Sequence, residues 1–450
     1  MPDAKEHLRR LDLVDAPDVW ADARTREPSR SPEIHEGTPT GQRLIAIVVA
    51  FGLFGGVVFL GVRALERGPD VDVGTSPSPS VSVRAQPTGT WLAMPEPPID
   101  YRYGASGFWV GDRVVIIGGS EQPPGCEPDA HCVAGGVAPF DGAAFDPPTD
   151  TWTTIADAPM PVVSYTGAVL DDTLYVWGSP DLETYSLLAY HPLDDRWDVV
   201  DLPPEVRSSA GLMRLAPADD AIVMYLDSQE REPFSPDYLF EPANGELRQL
   251  TPDPLMPTFD RSIVWTGSEL ILLGIEVGLR AEGEEYLYRA ATFDPTEGRW
   301  RALPDTGIAG YDPSWFWSAG GLVNPSIGHV GDNGSEQGTG PPYGGALDPS
   351  TGVWEELPSP PDRHAYAGPA VGGGRYVVSS QGAILDALDG SWEALAPLPV
   401  VPDEGAVAVW AGDRLVVWGG LRWKKIDGVM AVDGPAKVVE SGWSWIPRSG

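Results

Sequence analysis

One short phrase recurs along the chain and limits what it can fold into more than any other feature. Its clearest copy, residues 293–300, reads Phe-Asp-Pro-Thr-Glu-Gly-Arg-Trp. Each copy places an aromatic or large apolar marker six positions after a slot that is usually acidic. The slots and markers are Asp146 and Trp152, His191 and Trp197, Glu241 and Leu247, Asp294 and Trp300, Asp348 and Trp354, and Asp386 and Trp392. Such constant spacing predicts a repeat architecture.

The residue types in this phrase are those of a tight turn between two strands. Proline fixes its own φ and has no N–H donor, and the residue before it is biased toward an extended conformation. Glycine can supply a left-handed position near the end of the phrase, at Gly245, Gly298, Gly352 and Gly390. Each copy is therefore predicted to be a hairpin whose second strand opens on a buried tryptophan.

Two further strand-like runs, joined by a short turn, precede each hairpin. The clearest examples are residues 107–119, 167–178, 263–274 and 406–420, and weaker ones occur at 219–227, 315–323 and 375–380. Apolar runs bounded by Gly-Asp or Asp-Asp turns predict strands that are buried on both faces. Each unit then supplies four strands, and an all-β chain of such units is predicted to form a β-propeller.

The markers predict seven blades. Trp91 is a marker with no strands before it, whereas the last unit lacks a fourth strand. The N-terminal strand near Trp91 is therefore predicted to complete the last blade and close the ring. Seven units over residues 90–446 average about 51 residues, close to the kelch period of about 50. Leu247 in place of tryptophan, and Val-Ser-Ser at 378–380 in place of Gly-Gly, leave a six-bladed ring as the alternative.

Gly-Gly after the second strand, at Gly118-Gly119 and Gly419-Gly420, adds to the spaced tryptophans. With both features, residues 90–446 resemble a kelch-repeat β-propeller of the galactose oxidase central-domain type. Galactose oxidase itself would imply copper held by tyrosines and histidines, with a tyrosine joined to a cysteine. Here both cysteines lie in one loop, and the histidines at 191, 329 and 364 fall in different units without a ligand pattern. Oxidase activity and a cofactor are therefore not expected.

The N-terminal part of the chain predicts a membrane anchor. Residues 44–62 are an unbroken apolar run bracketed by Arg43 and Arg63, about long enough to cross a bilayer as a helix. A cleaved signal peptide is the alternative, but a long segment precedes the run and no small-residue cleavage site follows it closely. Arginines are more numerous before the run than after it, which predicts a cytosolic N-terminus and an extracytoplasmic propeller.

The segments around this run have few apolar residues to bury. Residues 1–42 are predicted to be a largely disordered cytosolic tail, in which Trp20 is a candidate anchor for a cytosolic partner. Residues 63–89 include a Ser/Pro-rich stretch and are predicted to be a stalk, and residues 447–450 are a short tail. The composition, with 65 acidic against 30 basic residues and a formal net charge of −35, argues against nucleic-acid binding.

The two cysteines occur close together in one loop. Cys126 and Cys132 are predicted to form a local disulfide, because an oxidising exterior favours one. Zinc bound by these two residues and His131 is the alternative, but no fourth ligand stands at a suitable spacing. The sequence therefore assigns no metal site.

Four long insertions between strands are the places to look for a ligand site, because propeller loops carry the variable chemistry. They are residues 120–141, 275–289, 328–344 and 421–436. The last contains Arg422, Trp423, Lys424 and Lys425, in a chain with few lysines. Cations and an aromatic ring suit an acidic or sugar-containing ligand, although a solvated surface cluster is the alternative.

These features together predict a membrane-anchored, extracytoplasmic propeller that binds a protein, peptide or envelope-glycan ligand without catalysis. One alternative is a sensor that couples the outer domain to a cytosolic regulator through residues 1–42. A second is a carbohydrate-active enzyme built on a galactose-oxidase-like propeller. No nucleophile elbow, P-loop or H-E-x-x-H motif supports an enzyme.

Overall fold

A computed structural model describes residues 89–122, 138–181, 183–209, 213–230, 234–277, 287–304, 314–325, 345–358, 369–380, 382–423, 425–426, 429–430 and 436–447. These residues form seven four-stranded antiparallel sheets, which are the blades of a β-propeller. The predicted all-β fold and the seven blades are confirmed, and the six-bladed alternative is wrong. The arrangement is compatible with a kelch-type propeller.

Each of the first three blades runs from its inner to its outer strand in chain order. Their strands are β2 (Tyr103–Val110), β3 (Arg113–Ser120), β4 (Gly142–Asp146) and β5 (Thr151–Ile155) in blade 1, β6 (Val162–Leu170), β7 (Thr173–Gly178), β8 (Ser186–His191) and β9 (Arg196–Val200) in blade 2, and β10 (Met213–Ala218), β11 (Ala221–Leu226), β12 (Tyr238–Glu241) and β13 (Glu246–Gln249) in blade 3. A short helix, α1 (Pro204–Ser209), lies between blades 2 and 3.

Blades 4 to 6 follow the same order. Their strands are β14 (Thr258–Trp265), β15 (Leu270–Glu276), β16 (Tyr288–Asp294) and β17 (Arg299–Ala302) in blade 4, β18 (Phe316–Ser318), β19 (Gly321–Asn324), β20 (Gly345–Asp348) and β21 (Val353–Glu356) in blade 5, and β22 (Val371–Gly373), β23 (Tyr376–Val378), β24 (Ala383–Asp386) and β25 (Ser391–Ala394) in blade 6.

Blade 7 is built from both ends of the propeller. It contains β26 (Val407–Ala411), β27 (Arg414–Trp418), β32 (Gly442–Ile446) and, as its outer strand, the N-terminal β1 (Thr90–Ala93). In the register, Trp91 lies opposite Trp445 and Leu92 lies opposite Ser444. The predicted closure by the strand near Trp91 is therefore present in the structure.

The inner strands complete the ring around a central axis. Each of the seven contacts the inner strand of the next blade, and β26 of blade 7 contacts β2 of blade 1. The second strands are strongly apolar, since every residue of β11, six of the seven residues of β15 and five of the eight residues of β3 are buried. Burial on both faces, as their unbroken apolar sequences predicted, places the core between neighbouring blades.

The recurring phrase forms the turn between the third and fourth strands. In blade 4, the Asp294 carboxylate accepts hydrogen bonds from the Thr296 N–H (2.8 Å) and the Thr296 hydroxyl (2.6 Å). The Gly298 N–H donates to the Asp294 carbonyl at 2.8 Å, and Gly298 has a left-handed φ of 65°. In blades 1 and 2, Asp150 and Asp195 take this left-handed position in place of glycine. The phrase is thus a structural turn.

The tryptophan markers join neighbouring blades. Each of four indole N–H groups donates to a carbonyl that lies four positions after the marker of the preceding blade: Trp91 to Ala396, Trp152 to Pro95, Trp197 to Ala156, and Trp300 to Thr251, at 2.7–3.0 Å. The markers are half-buried, whereas the sequence predicted buried tryptophans.

Blade 3 lacks this hydrogen bond because its marker is Leu247. Its contact with blade 2 is apolar instead: Leu247 packs against a cluster that contains Leu202 and Val206, and Val206 belongs to α1. Val206 is 0% exposed. The short helix therefore fills the boundary at which the marker cannot donate.

Replacing Trp300 by phenylalanine tests this inter-blade hydrogen bond. The change removes the donor to the Thr251 carbonyl, and we expect Trp300→Phe to lower the free energy of unfolding by about 1 kcal/mol. Trp354→Phe is the matched control, since its buried indole N–H has no partner among the described residues. Urea unfolding that shows an equal or larger loss for Trp354→Phe would contradict the inter-blade role.

Gly-Gly pairs allow close approach between blades. Gly419 has a left-handed φ of 65°, and a Cβ added there would lie 2.3 Å from the Arg102 carbonyl oxygen. A Cβ on Gly118 would lie 2.9 Å from the Val162 carbonyl oxygen. At these two boundaries the end of a second strand thus passes against the beginning of the next blade, where only glycine fits.

Strand order gives the ring two different faces. One, the tight-turn face, carries the turns between first and second strands and the phrase turns between third and fourth strands, such as residues 111–112 and 147–150. The other, the long-loop face, carries the connections between second and third strands and those between blades, such as residues 121–141 and 156–161. Because β1 runs from Thr90 toward the 94–102 connection, the propeller begins at the tight-turn face.

Residues 1–88 lie outside the described residues. They include the predicted tail at 1–42, the predicted anchor at 44–62 and all of the predicted stalk at 63–89 except Gly89. Within the part of the chain that the structure describes, no helix is long and apolar enough to span a bilayer.

Candidate functional site

All four long insertions belong to the same kind of connection. They join the second and third strands of blades 1, 4, 5 and 7, and so their ends lie on the long-loop face. Most of the blade 4 insertion and nearly all of the blade 5 insertion lie outside the described residues, at 278–286 and 326–344. So do the predicted disulfide partners Cys126 and Cys132. The insertion best described by the structure is that of blade 7.

The blade 7 insertion forms a β-hairpin, which we call the blade 7 hairpin (residues 419–441). At its base, β28 (Leu421–Arg422) pairs with β31 (Lys437–Val438). Farther along, β29 (Lys425–Ile426) pairs with β30 (Val429–Met430). Arg422 lies directly opposite Lys437, and both residues are exposed. Lys424 lies outside the described residues, as does the side chain of Lys425.

Trp423 belongs to the base of this hairpin. Its backbone N–H donates to Asp403 Oδ2 at 2.9 Å, and its indole N–H donates to Glu404 Oε1 at 3.0 Å. Its half-buried ring packs with Tyr103, Leu421 and Ala436. Much of the indole surface that stacking on a ligand would need is therefore used inside the protein.

The backbone of the 395–406 connection holds the same base. The Asp403 N–H donates to the Leu421 carbonyl at 2.7 Å, and the Leu421 N–H donates to the Glu404 carbonyl at 2.8 Å. Burial raises the pKa of Glu404 above its usual value, the hydrogen bond from Trp423 opposes that effect, and Asp403 adds to it. The carboxylates of Asp403 and Glu404 thus hold Trp423 in place at the base of the hairpin.

Arg102 joins the blade 7 hairpin to the cysteine-containing insertion of blade 1. Its carbonyl accepts a hydrogen bond from the Gly420 N–H at 2.8 Å, where the hairpin begins. Its guanidinium is 0% exposed and contacts the Asp141 carboxylate at 2.5 Å and the Glu121 carboxylate at 3.6 Å. Asp141 and Glu121 flank the blade 1 insertion, so one buried arginine fixes the bases of two loops.

A second buried arginine lies between blades 3 and 4. Arg261 of β14 donates to Asp237 at 2.5 and 3.1 Å, to Asp253 at 3.0 Å, and to the Leu226 carbonyl at 2.7 Å. The side chains of Arg261 and Asp253 are both 0% exposed. This cluster is closed to solvent and binds one blade to the next.

Neither buried arginine was identified as a site from the sequence. The available signal was local: Asp260-Arg261 interrupts the apolar strand β14, and charged residues are rarely buried unless they are paired. Its partners Asp237 and Asp253 cannot be read from spacing, because they come from a different blade and from an inter-blade connection.

Among the described residues, no group of three or more potential metal-ligating side chains is close enough to hold an ion. His191 lies on the tight-turn side of blade 2, where its Nε2 is 3.1 Å from Asp198 Oδ2. The long-loop face around the blade 7 hairpin, which carries the four long insertions, is the candidate functional site.

The chain was compared with protein-family models and with curated proteins. No family model matches the chain. A comparison with curated proteins also gives no match.

Proposed function

We propose that this protein is a membrane-anchored, extracytoplasmic binding protein that presents the long-loop face of its propeller to a protein, peptide or envelope-glycan ligand. A β-propeller is a fold suited to a binding scaffold. In this proposal residues 44–62 anchor the chain, residues 63–89 form a stalk, and Arg422, Trp423, Lys424 and Lys425 lie at the ligand site.

One observation carries this proposal: the propeller begins on the face opposite its long loops. Gly89 and Thr90 stand at the tight-turn face, and the last strand, β32, also ends there at Ile446. A tether that arrives at Gly89 therefore leaves the four insertions on the opposite side of the ring. That arrangement exposes the variable loops and keeps the phrase turns toward the tether.

Polymer attachment on one face at a time tests which face binds. In the full-length chain with Cys126 and Cys132 replaced by serine, Glu183→Cys places a thiol on the long-loop face and Ser268→Cys places one on the tight-turn face. Both positions are exposed. We expect polyethylene glycol at residue 183, but not at residue 268, to reduce binding severalfold on a peptide and glycan array. The reverse pattern would contradict the proposal.

The same two variants test the location of the propeller. With cells intact, a membrane-impermeant maleimide should label both thiols, because the whole ring lies outside in this proposal. Labelling that occurs only after the cells are lysed would place the propeller in the cytosol and contradict the proposed topology.

A further inference from the structure

We propose that Arg422 and Lys437 together bind one carboxylate of a partner protein, within a segment where cationic residues flank that carboxylate. This inference rests on the proposed function of the long-loop face and specifies its ligand. It adds Lys437 to the site, and it assigns Trp423 to positioning the hairpin.

The first observation is that two cations occupy directly opposite positions at the hairpin base. In an antiparallel ladder, side chains directly opposite have Cβ atoms about 4.5–5.5 Å apart, and like charges there are destabilising. Arg422 and Lys437 occupy such a pair. Neither forms an ion pair with any carboxylate that the structure describes. Most other described arginines do, namely Arg102, Arg113, Arg196, Arg214, Arg261, Arg289, Arg299, Arg375 and Arg414.

The second observation is that the nearest supporting carboxylates are already engaged. Asp403 and Glu404 accept the two N–H groups of Trp423, and their backbone is hydrogen-bonded to Leu421. Turning either carboxylate toward Arg422 would break a hydrogen bond that holds the hairpin base. The pair is therefore held in place while its charge remains available to a ligand.

A carboxylate fits the pair better than a neutral group. Arginine offers a planar fork of N–H donors that matches the two oxygens of a carboxylate, and lysine adds a compact point charge. Such charge-assisted hydrogen bonds are about twice as strong as neutral ones. Binding a single anion would also relieve the repulsion between the two cations.

The surroundings of the pair select against a ligand that is anionic throughout. Burial, Glu96 and Glu440 raise the pKa of Tyr101 to about 12, so both carboxylates act on a side chain that stacks on Trp418 just before the hairpin. Glu96 and Glu440 are both exposed. A phosphate-rich polymer would meet these two carboxylates, whereas cations beside a single carboxylate would pair with them. This favours a mixed-charge protein segment over a polyanion.

The test uses the full-length chain and three immobilised probes. They are a synthetic peptide with one glutamate flanked by two lysines on each side, the same peptide with glutamine in place of glutamate, and polyphosphate. Because charge-assisted hydrogen bonds contribute about 1.5–3 kcal/mol, we expect the glutamate peptide to bind at least about tenfold more tightly than the glutamine peptide. Arg422→Gln with Lys437→Gln should remove that difference, and Lys437→Gln alone should reduce it.

Arg301→Gln is the matched control, since Arg301 is an exposed arginine on the outer strand β17. It should leave all three affinities unchanged. Thermal unfolding of the double variant should occur at or above the wild-type temperature, because a repulsive pair is lost. Equal affinity for the two peptides, an unaffected double variant, or tighter binding of polyphosphate would each overturn the inference. If array binding is still blocked by polymer at residue 183 while the double variant binds normally, the long-loop face keeps its proposed function and only the role of this pair fails.

Discussion

Trp91→Ala in the full-length chain should lower the free energy of unfolding by about 3 kcal/mol. The residue closes the ring in two ways. Its indole N–H donates to the Ala396 carbonyl of blade 6 at 2.7 Å, and its ring packs with the apolar cluster that contains Trp445 of blade 7. Alanine removes both contacts. They belong to β1, the strand through which the N-terminal end of the propeller completes blade 7. Urea unfolding followed by tryptophan fluorescence measures the loss.

Leu92→Ala is the control for this prediction, since Leu92 is the next residue on the same strand and is 49% exposed. Its truncation removes little buried surface, and we expect a loss below about 1 kcal/mol. A Trp91→Ala protein as stable as Leu92→Ala would mean that the ring does not depend on the closing strand.

Arg261→Met should lower the free energy of unfolding by about 3–5 kcal/mol, because it leaves two carboxylates buried without their partner. The Asp237 side chain is 4% exposed and the Asp253 side chain 0%. Burial already raises the pKa of Asp253, although Arg261 opposes the rise. Without the guanidinium, ionising these carboxyl groups in the folded state becomes more costly.

The loss should depend on pH in a defined direction. A carboxyl group whose folded-state pKa lies above its unfolded value of 3.8 stabilises the fold below that value, and the stabilisation disappears as the pH rises through the folded pKa. The defect of Arg261→Met should therefore be small in acid and grow toward neutral pH. Circular dichroism during urea unfolding at several pH values measures this.

Arg214→Met provides the matched comparison at the neighbouring inner strand. Its guanidinium is 34% exposed and binds Asp227 at 2.8 Å, so water can replace the lost partner. We expect a loss of no more than about 1 kcal/mol, with little dependence on pH. Equal losses for the two variants would show that the Arg261 cluster does not behave as a buried ionic group.

Much of this fold could be predicted because its determinants are local. The phrase from Asp294 to Trp300 contains a proline, a left-handed glycine and an aromatic residue within one turn, so its conformation depends on few distant contacts. Trp91 indicated how the ring closes, because it is a fourth-strand marker that no first, second or third strand precedes in the sequence. Leu247 suggested a missing blade, but α1 supplies the apolar contact that its indole would have made.

The site was less predictable because its contacts cross between blades. Trp423 was expected to offer its ring to a ligand, yet Glu404, an acceptor from the preceding connection, holds its N–H. Arg102 binds loops of blade 1 and blade 7 that have no common sequence signal. Such pairings depend on ring geometry, which the order of residue types does not reveal.

In the proposed function, the direction of the closing strand β1 determines which face of the propeller is presented to a ligand. The pairing of β1 with β32 is therefore the central structural claim. It is tested most directly by disulfide formation between Leu92→Cys and Ser444→Cys in a chain whose Cys126 and Cys132 are serine. These positions lie opposite each other across β1 and β32. Leu92→Cys with Val416→Cys is the control, because Val416 lies one strand farther in, beyond the Cα separation of about 7 Å that a disulfide allows. We expect an intramolecular disulfide in the first pair only, seen by mass spectrometry of the monomer. No link in the first pair, or a link found only between two copies of the chain, would contradict it.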